Sequence, residues 1–210
     1  MYISVANRYI WMVKVLFVLM ETYFDQFKEY LSKFGYIQPD LNKLVSVCEI
    51  LKFNKGKIIF KSGVNQNHIF FICKGLVRKF VITEHGEMKT VNFRMENMIT
   101  TGYSNYTEDF KPKISVECLE DCVMIGIPLT VMQYKIETYY LGYNLCRYLA
   151  EYHLLELLYF IKNIDTKSLL ERYNLLENQF PDIHQRVPQK MIASYLGTSP
   201  VHLSRIKNFK

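Results

Sequence analysis

The chain predicts an α+β fold in three parts: a body of short β-strands, one long helix, and a small helical domain that ends in a helix-turn-helix. Three observations carry this expectation. The hydrophobic period switches to two at about Leu51 and returns to 3.6 after Pro128. The stretch from Tyr139 to Lys162 has no proline and a single glycine, Gly142. The segment Arg186–Lys210 spaces its apolar residues as two short helices around Gly197.

Residues 1 to 19 come first. They are apolar from Tyr9 to Met20 except for Lys14, too short and too interrupted to span a bilayer, and no small-residue cleavage site follows. They read as an extension ahead of a soluble protein beginning at Met20, or as an extra helix on its body. Glu21 to Phe34 then places Phe24, Phe27, Leu31 and Phe34 on one helical face, and Pro39-Asp40 opens a short helix carrying Leu41, Leu44 and Val45.

The strand region follows, with strands expected at 57–61, 68–73, 76–83, 87–94, 114–118 and 122–127. Gly56, Gly63, Gly75 and Gly86 punctuate them, and Glu84-His85-Gly86-Glu87 reads as a hairpin connection. Six short strands at this spacing suggest a β-sandwich, barrel or jelly roll.

In the long helix, Leu141, Leu145, Tyr148, Tyr152, Leu155 and Tyr159 alternate by four and three, as in a coiled-coil seam. A second stripe holds Leu154, Leu157, Leu158 and Ile161. Two apolar faces need two covers, expected to be the β domain and a second copy of the chain, the alternative being a helix sunk in its own core. Asp165 is expected to cap the next helix, which carries Leu169, Leu170, Tyr173 and Leu176.

The end of the chain carries the functional signal. Pro188 suits a first helical position, Gly197 suits a left-handed turn, and Ser199-Pro200 suits an N-cap and N1. Leu203 and Ile206 face back toward Ile192, Ala193 and Leu196. From Ile183 onward there is no acidic residue, but there are five basic ones: Arg186, Lys190, Arg205, Lys207 and Lys210. Five of the six net positive charges therefore lie here, the footprint of a phosphate-binding surface rather than of a merely solvated hairpin. On the second helix, Ser199, Val201, His202, Arg205 and Asn208 are expected on the groove-facing side, with Pro200, Ser204 and Gln189 beside them. Lys190, Lys207 and Lys210 are expected nearer the edges, against phosphates.

Composition limits the alternatives. Hydrophobic residues make up 50% and charged residues 22%, which excludes a disordered chain. The five cysteines (Cys48, Cys73, Cys118, Cys122 and Cys146) form no Cys-x-x-Cys pair, so neither a zinc ribbon nor a thioredoxin-type site is indicated. They read as buried, reduced thiols of a cytoplasmic protein. A jelly-roll metalloenzyme of the cupin kind would need clustered ligands, whereas His68, His85, His153, His184 and His202 are far apart in sequence. No nucleophile–base arrangement is visible, and no metal or cofactor is expected.

Together these residues resemble the bacterial Crp/Fnr regulators. The resemblance runs from about Met20 to the end. It is carried by Lys55-Gly56, Ser62-Gly63, Ile69 to Gly75, the Glu84–Glu87 hairpin, Glu171-Arg172-Tyr173, and Arg186-Val187-Pro188-Gln189 through Arg205-Ile206. It implies a double-stranded β-helix or jelly roll of the cyclic-nucleotide-binding kind over residues 20–136, a dimerisation helix over 137–164 and a helix-turn-helix domain over 165–210. It also implies partners: double-stranded DNA with a palindromic operator, a second copy of the chain and RNA polymerase, with no membrane.

The departures from the family are informative. Where cyclic-nucleotide-binding members place Gly-Glu for the ribose and Arg-Ser or Arg-Thr for the phosphate, this chain has Thr100-Thr101 and Pro112-Lys113. Lys113 offers a point charge rather than a bidentate fork, so cAMP is not the expected effector. The first cysteine is Cys48, so the N-terminal iron–sulfur ligands of oxygen-sensing members are not matched. Any other effector is expected among Thr100, Thr101, Gly102, Tyr103, Ser104, Lys113, Tyr148 and Tyr152, unless aromatic side chains fill that space.

Overall fold

The computed structural model describes residues 20–33, 35, 37–101, 114–130 and 139–207. Two helices lead: α1 over 20–32 and α2 at Gln38–Val45. Eight strands follow: β1 Glu49–Phe53, β2 Ile58–Phe60, β3 His68–Lys74, β4 Val77–Ile82, β5 Met88–Arg94, β6 Ile99–Thr100, β7 Ile114–Cys118 and β8 Cys122–Pro128. The chain ends with α3 Tyr139–Thr166, α4 Leu169–Gln179, α5 Ile183–Arg186, α6 Gln189–Tyr195 and α7 Pro200–Lys207.

The strands form two antiparallel four-stranded sheets, in the orders β1-β8-β3-β6 and β2-β7-β4-β5. Consecutive strands that alternate between sheets are the mark of a jelly roll. The six expected strands appear within a residue at each end. β1 and β6 were not anticipated as strands. β6 has only two residues, too few for a period, and exists through its pairing with Phe70 and Phe71.

Strand β3 shows why the sequence is so apolar here. Ile69 through Cys73 are all buried, because both faces of the strand are covered. Phe70 and Ile72 point between the sheets, where they meet Phe60, Val77, Val116 and Met124. Ile69, Phe71 and Cys73 point outward into a core built with Phe27 and Leu31 of α1, Leu41 and Leu44 of α2, and Leu145 and Leu149 of α3. The aromatic rings of Phe27 and Tyr30 lie 5.0 and 5.1 Å from that of Phe71. The Cys48 and Cys73 thiols are pushed up to about 12 by burial, as expected of reduced structural cysteines.

Two expectations at helix ends are corrected. Asp165 does not cap α4; it lies inside α3, which runs on to Thr166. The cap is Ser168, whose hydroxyl accepts from Glu171 N at 3.3 Å while Glu171 accepts from Ser168 N at 2.8 Å, a complete capping box. Pro188 precedes α6 as its N-cap rather than opening it at N1.

Candidate nucleic-acid interface and effector cavity

The turn of the helix-turn-helix is built by backbone geometry. After Tyr195 the chain enters a left-handed residue at Gly197, with φ of 68°. Thr198 N then bonds Ala193 O at 2.9 Å and Gly197 N bonds Ser194 O at 3.2 Å, the paired bonds of a Schellman motif. Ser199 starts the next helix, its hydroxyl accepting from His202 N at 3.1 Å, with Pro200 at N1 as expected. Between the helices Ile192, Ala193, Leu196 and Leu203 are buried, and the absence of a larger side chain at Ala193 lets the helices cross closely.

Gln189, Lys190, Ser199, Pro200, Val201, His202, Ser204 and Arg205 are exposed, and Lys207 is half-exposed. They surround α7 and the start of α6. Gln189 donates to Pro200 O at 3.2 Å, tying the two helix starts together. The Lys207 ammonium sits 5.5 Å from the Tyr173 ring centroid. Asn208 and Lys210 lie outside the described residues. The expected basic footprint needs one correction: Arg186 is not available to phosphate. Its guanidinium donates to both oxygens of Glu96 and both of Glu120, between 2.7 and 3.0 Å. Burial would raise the Glu96 carboxyl, but Arg186 and the N–H groups of Glu96 and Gly75 hold it below the usual range.

This clamp belongs to a wider docking of the helical domain on the β body. Ser194 Oγ accepts from Thr90 N of β5 at 3.0 Å. Phe93 meets the rings of Phe180 and Tyr195, and Leu76 and Leu119 join the same buried cluster.

The expected seam on α3 divides in two. Leu145 is fully buried against the β body and Tyr148 packs beside it, so this part of the stripe faces inward, a correction to the expected dimer face. Tyr152, Leu155 and Tyr159 are exposed, Leu155 at 65%. Leu154, Leu157, Leu158 and Ile161 of the second stripe are exposed as well. The side chain of Leu141 is outside the described residues.

A cavity of about 480 Å³ lies where α3, the β4–β5 pair and the helix-turn-helix domain meet. Lys79 and Arg94, each 2% exposed, form one wall together with Glu156, which accepts from Arg94 Nη2. Burial, then the Arg94 charge, holds the Lys79 ammonium well below its usual pKa. Burial, then Lys79 and Arg94, pushes His153 down to about 3, so it is neutral. Arg172, Asn163, Tyr195 and Leu196 also line the space.

Four of the expected effector residues are described: Thr100, Thr101, Tyr148 and Tyr152. None lines this cavity. Thr100 is fully buried on β6, and Tyr148 stacks on Tyr152 at 6.2 Å. Gly102, Tyr103, Ser104 and Lys113 lie outside the described residues. The charged wall was missed in the sequence. Its signal was Arg78-Lys79 inside a strand, where alternation would bury only one of the two. Both are buried, Arg78 on Glu117 at 2.8 Å and Lys79 against the cavity.

The cyclic nucleotide-binding domain family matches residues 50–139. Among solved structures, the chain is similar to a protein from Eubacterium rectale described as a transcriptional regulator of the Crp/Fnr family. The TM-score is 0.63 at 15% identity, covering 86% of this chain and 87% of that one. FixK2 from Bradyrhizobium japonicum gives a TM-score of 0.62 at 14% identity, covering 77% of this chain and 83% of the other. This is the fold of the Crp/Fnr regulators. By sequence, the chain is 26% identical over 110 residues to the HTH-type transcriptional regulator ArcR of Staphylococcus epidermidis, 52% of this chain and 47% of that protein. It is 25% identical over 96 residues to the anaerobic regulatory protein of Haemophilus influenzae, 45% of this chain and 37% of that one. These matches thus span less than half the length of the curated relatives.

Among the described residues no three His, Cys, Asp or Glu side chains gather as a metal site. Among the same residues no helix is long and apolar enough to cross a membrane.

Proposed function

We propose that this chain is a cytoplasmic, non-enzymatic transcription regulator that binds DNA as a homodimer, each α7 entering the major groove at one half of a palindromic operator. The observation that carries the reading is the exposed face of α7: Ser199, Val201, His202, Ser204 and Arg205 stand clear of the protein with no acid among them. An eight-residue helix rooted by one buried residue, Leu203, and presented on a tight turn has the form of a recognition helix. The apolar face of α3 supports the second copy, since a soluble monomer would leave it in water. RNA polymerase is the further partner that such a regulator implies.

The effector in this reading is not cAMP, because Thr100-Thr101 and Pro112-Lys113 replace the groups a cyclic nucleotide needs. Selection of bound DNA from a random pool tests the whole proposal. Recovery of a two-fold symmetric site with half-sites about one helical turn apart is the expected result. An unenriched pool overturns the DNA reading, and an asymmetric single site overturns the dimer.

A further inference from the structure

We propose that the cavity between α3, the β4–β5 pair and the helix-turn-helix domain binds an organic anion with an apolar body. Its acidic group would sit among Lys79, Arg94 and Arg172. The proposal deepens the regulator reading, on which only its consequence for DNA binding rests.

The charges are gathered rather than scattered. Lys79 and Arg94 come from neighbouring strands and Arg172 from the first helix of the DNA-binding domain, with Glu156 as the one carboxylate in the lining among the described residues. Arg94 is paired with Glu156, so a bound anion would set a counter-charge beside Arg172 and draw the buried Lys79 amine back toward its protonated form. Two polar atoms beside them are buried without a hydrogen-bond partner among the described residues: Arg172 Nε and Asn163 Oδ1. Asn163 is 7% exposed, so its carbonyl has little access to water. Hydrocarbon side chains make up much of the remaining lining, among them Val91, Ile114, Leu154, Leu157, Phe160 and Ile164. A volume of about 480 Å³ suits a small molecule, and this lining suits a flat or aliphatic body better than a ribose with its hydroxyls.

The position gives the ligand a role. The walls come from the β body, the long helix and the DNA-binding domain at once. An acid group bridging Arg172 to Lys79 and Arg94 would fasten the helix-turn-helix to the body and fix where α7 points.

The test uses the full chain and a matched pair of probes: 8-anilinonaphthalene-1-sulfonate and its uncharged counterpart N-phenyl-1-naphthylamine. The expected result is one saturable site per chain for the sulfonate, about tenfold or more tighter than for the neutral probe, a gap that a buried charge contact readily produces. Lys79→Met and Arg172→Met should each remove that gap and leave the neutral probe bound within about twofold. Two variants from different elements keep the test readable if one fails to fold. Lys52→Met, which removes an exposed charge from β1 in the other sheet, should leave the sulfonate unaffected. Equal affinity for the two probes, loss of binding in Lys52→Met, or displacement by micromolar cAMP would each overturn the proposal. DNA binding assayed on the same samples separates the two readings. Probe binding without DNA binding sinks the regulator while the site stands, and the reverse outcome sinks the site alone.

Discussion

Arg186 grips Glu96 through two parallel hydrogen bonds, Nη1 to Oε2 at 3.0 Å and Nη2 to Oε1 at 2.9 Å, across ninety positions of sequence. The same guanidinium grips Glu120 through two more, at 2.8 and 2.7 Å. One residue of the helical domain thus joins two separate segments of the β body. Planar, bidentate pairing of this kind is available to Arg and not to Lys.

Removing that hub should loosen the domain junction. Arg186→Ala leaves two carboxylates facing each other with no cation between them, and is expected to cost about 1–3 kcal/mol in chemical unfolding. The pH dependence follows from Glu96, whose folded pKa is held low. Its stabilising effect is fully present above the unfolded carboxylate range and is lost as pH falls through the folded value. Between about pH 5 and pH 3 the wild type should therefore lose stability more steeply than Arg186→Ala. Parallel curves would remove the pair from the account.

His153 supplies a second acid sensitivity, at higher pH. Burial, with Lys79 and Arg94 nearby, lowers it from 6.5 to about 3. The unfolded chain takes up a proton below pH 6.5 that the folded chain refuses until about pH 3, so stability falls as pH drops across that window. The fall on this account is about 1.4 kcal/mol per pH unit, one proton's worth. In His153→Gln the slope from pH 6 to 5 should flatten by that amount. An unchanged slope would mean that the ring is protonated in the folded protein.

What the sequence disclosed and what it withheld divide along physical lines. Strands β2 to β5, β7 and β8 were legible because each contributes several residues to a covered face, so their period is strong. The helix-turn-helix was legible because Gly197, Ser199 and Pro200 each have a specific local task. The Ser168–Glu171 capping box was equally legible in principle and was passed over for Asp165. The role of Arg186 was not legible, since its partners lie 66 and 90 positions away. The cavity depends on three elements meeting, which leaves no periodic trace.

Two glycines should respond very differently to the same methyl group. At Gly75, with φ of 103°, a Cβ would stand 2.6 Å from Cys122 Sγ and 2.9 Å from Asp121 O. At Gly197, with φ of 68°, nothing lies within 4 Å. Gly197→Ala should cost only the left-handed backbone penalty, about 1 kcal/mol. Gly75→Ala adds a clash with backbone and should cost about 3 kcal/mol or more. Denaturant midpoints order the two, and equal losses would contradict the packing at Gly75.

The exposed apolar face of α3 predicts the oligomeric state. Sedimentation at micromolar concentration should give twice the 25.0 kDa chain mass. Leu155→Glu and Leu158→Glu should each return it to the single-chain mass, because a carboxylate buried in a helix seam without a partner costs several kcal/mol. A wild type that sediments as a single chain would sink the dimer, and so would dimers untouched by both substitutions.

Arg205 is the residue on which sequence discrimination should turn. It follows the fully buried Leu203 by two positions, which carries its side chain about 200° around α7 to the opposite, exposed face. Glu171, the acid most apt to hold it within the domain, is committed to Ser168 in the capping box. An arginine presented this way can donate two hydrogen bonds to O6 and N7 of a guanine in the major groove. Lys207 differs: its ammonium lies near the Tyr173 ring, and it is expected toward the edge of the helix, where phosphates run. Arg205→Ala should therefore cost roughly 1–3 kcal/mol on the selected site and far less on random DNA, relaxing one position in each half-site. Lys207→Ala should weaken both kinds of DNA by similar factors and reduce the salt slope by about one. Titrations of both variants on specific and random duplexes, at several salt concentrations, decide between the roles. Equal losses on the two DNAs for Arg205→Ala would make it a backbone contact and move the specificity elsewhere on the exposed face.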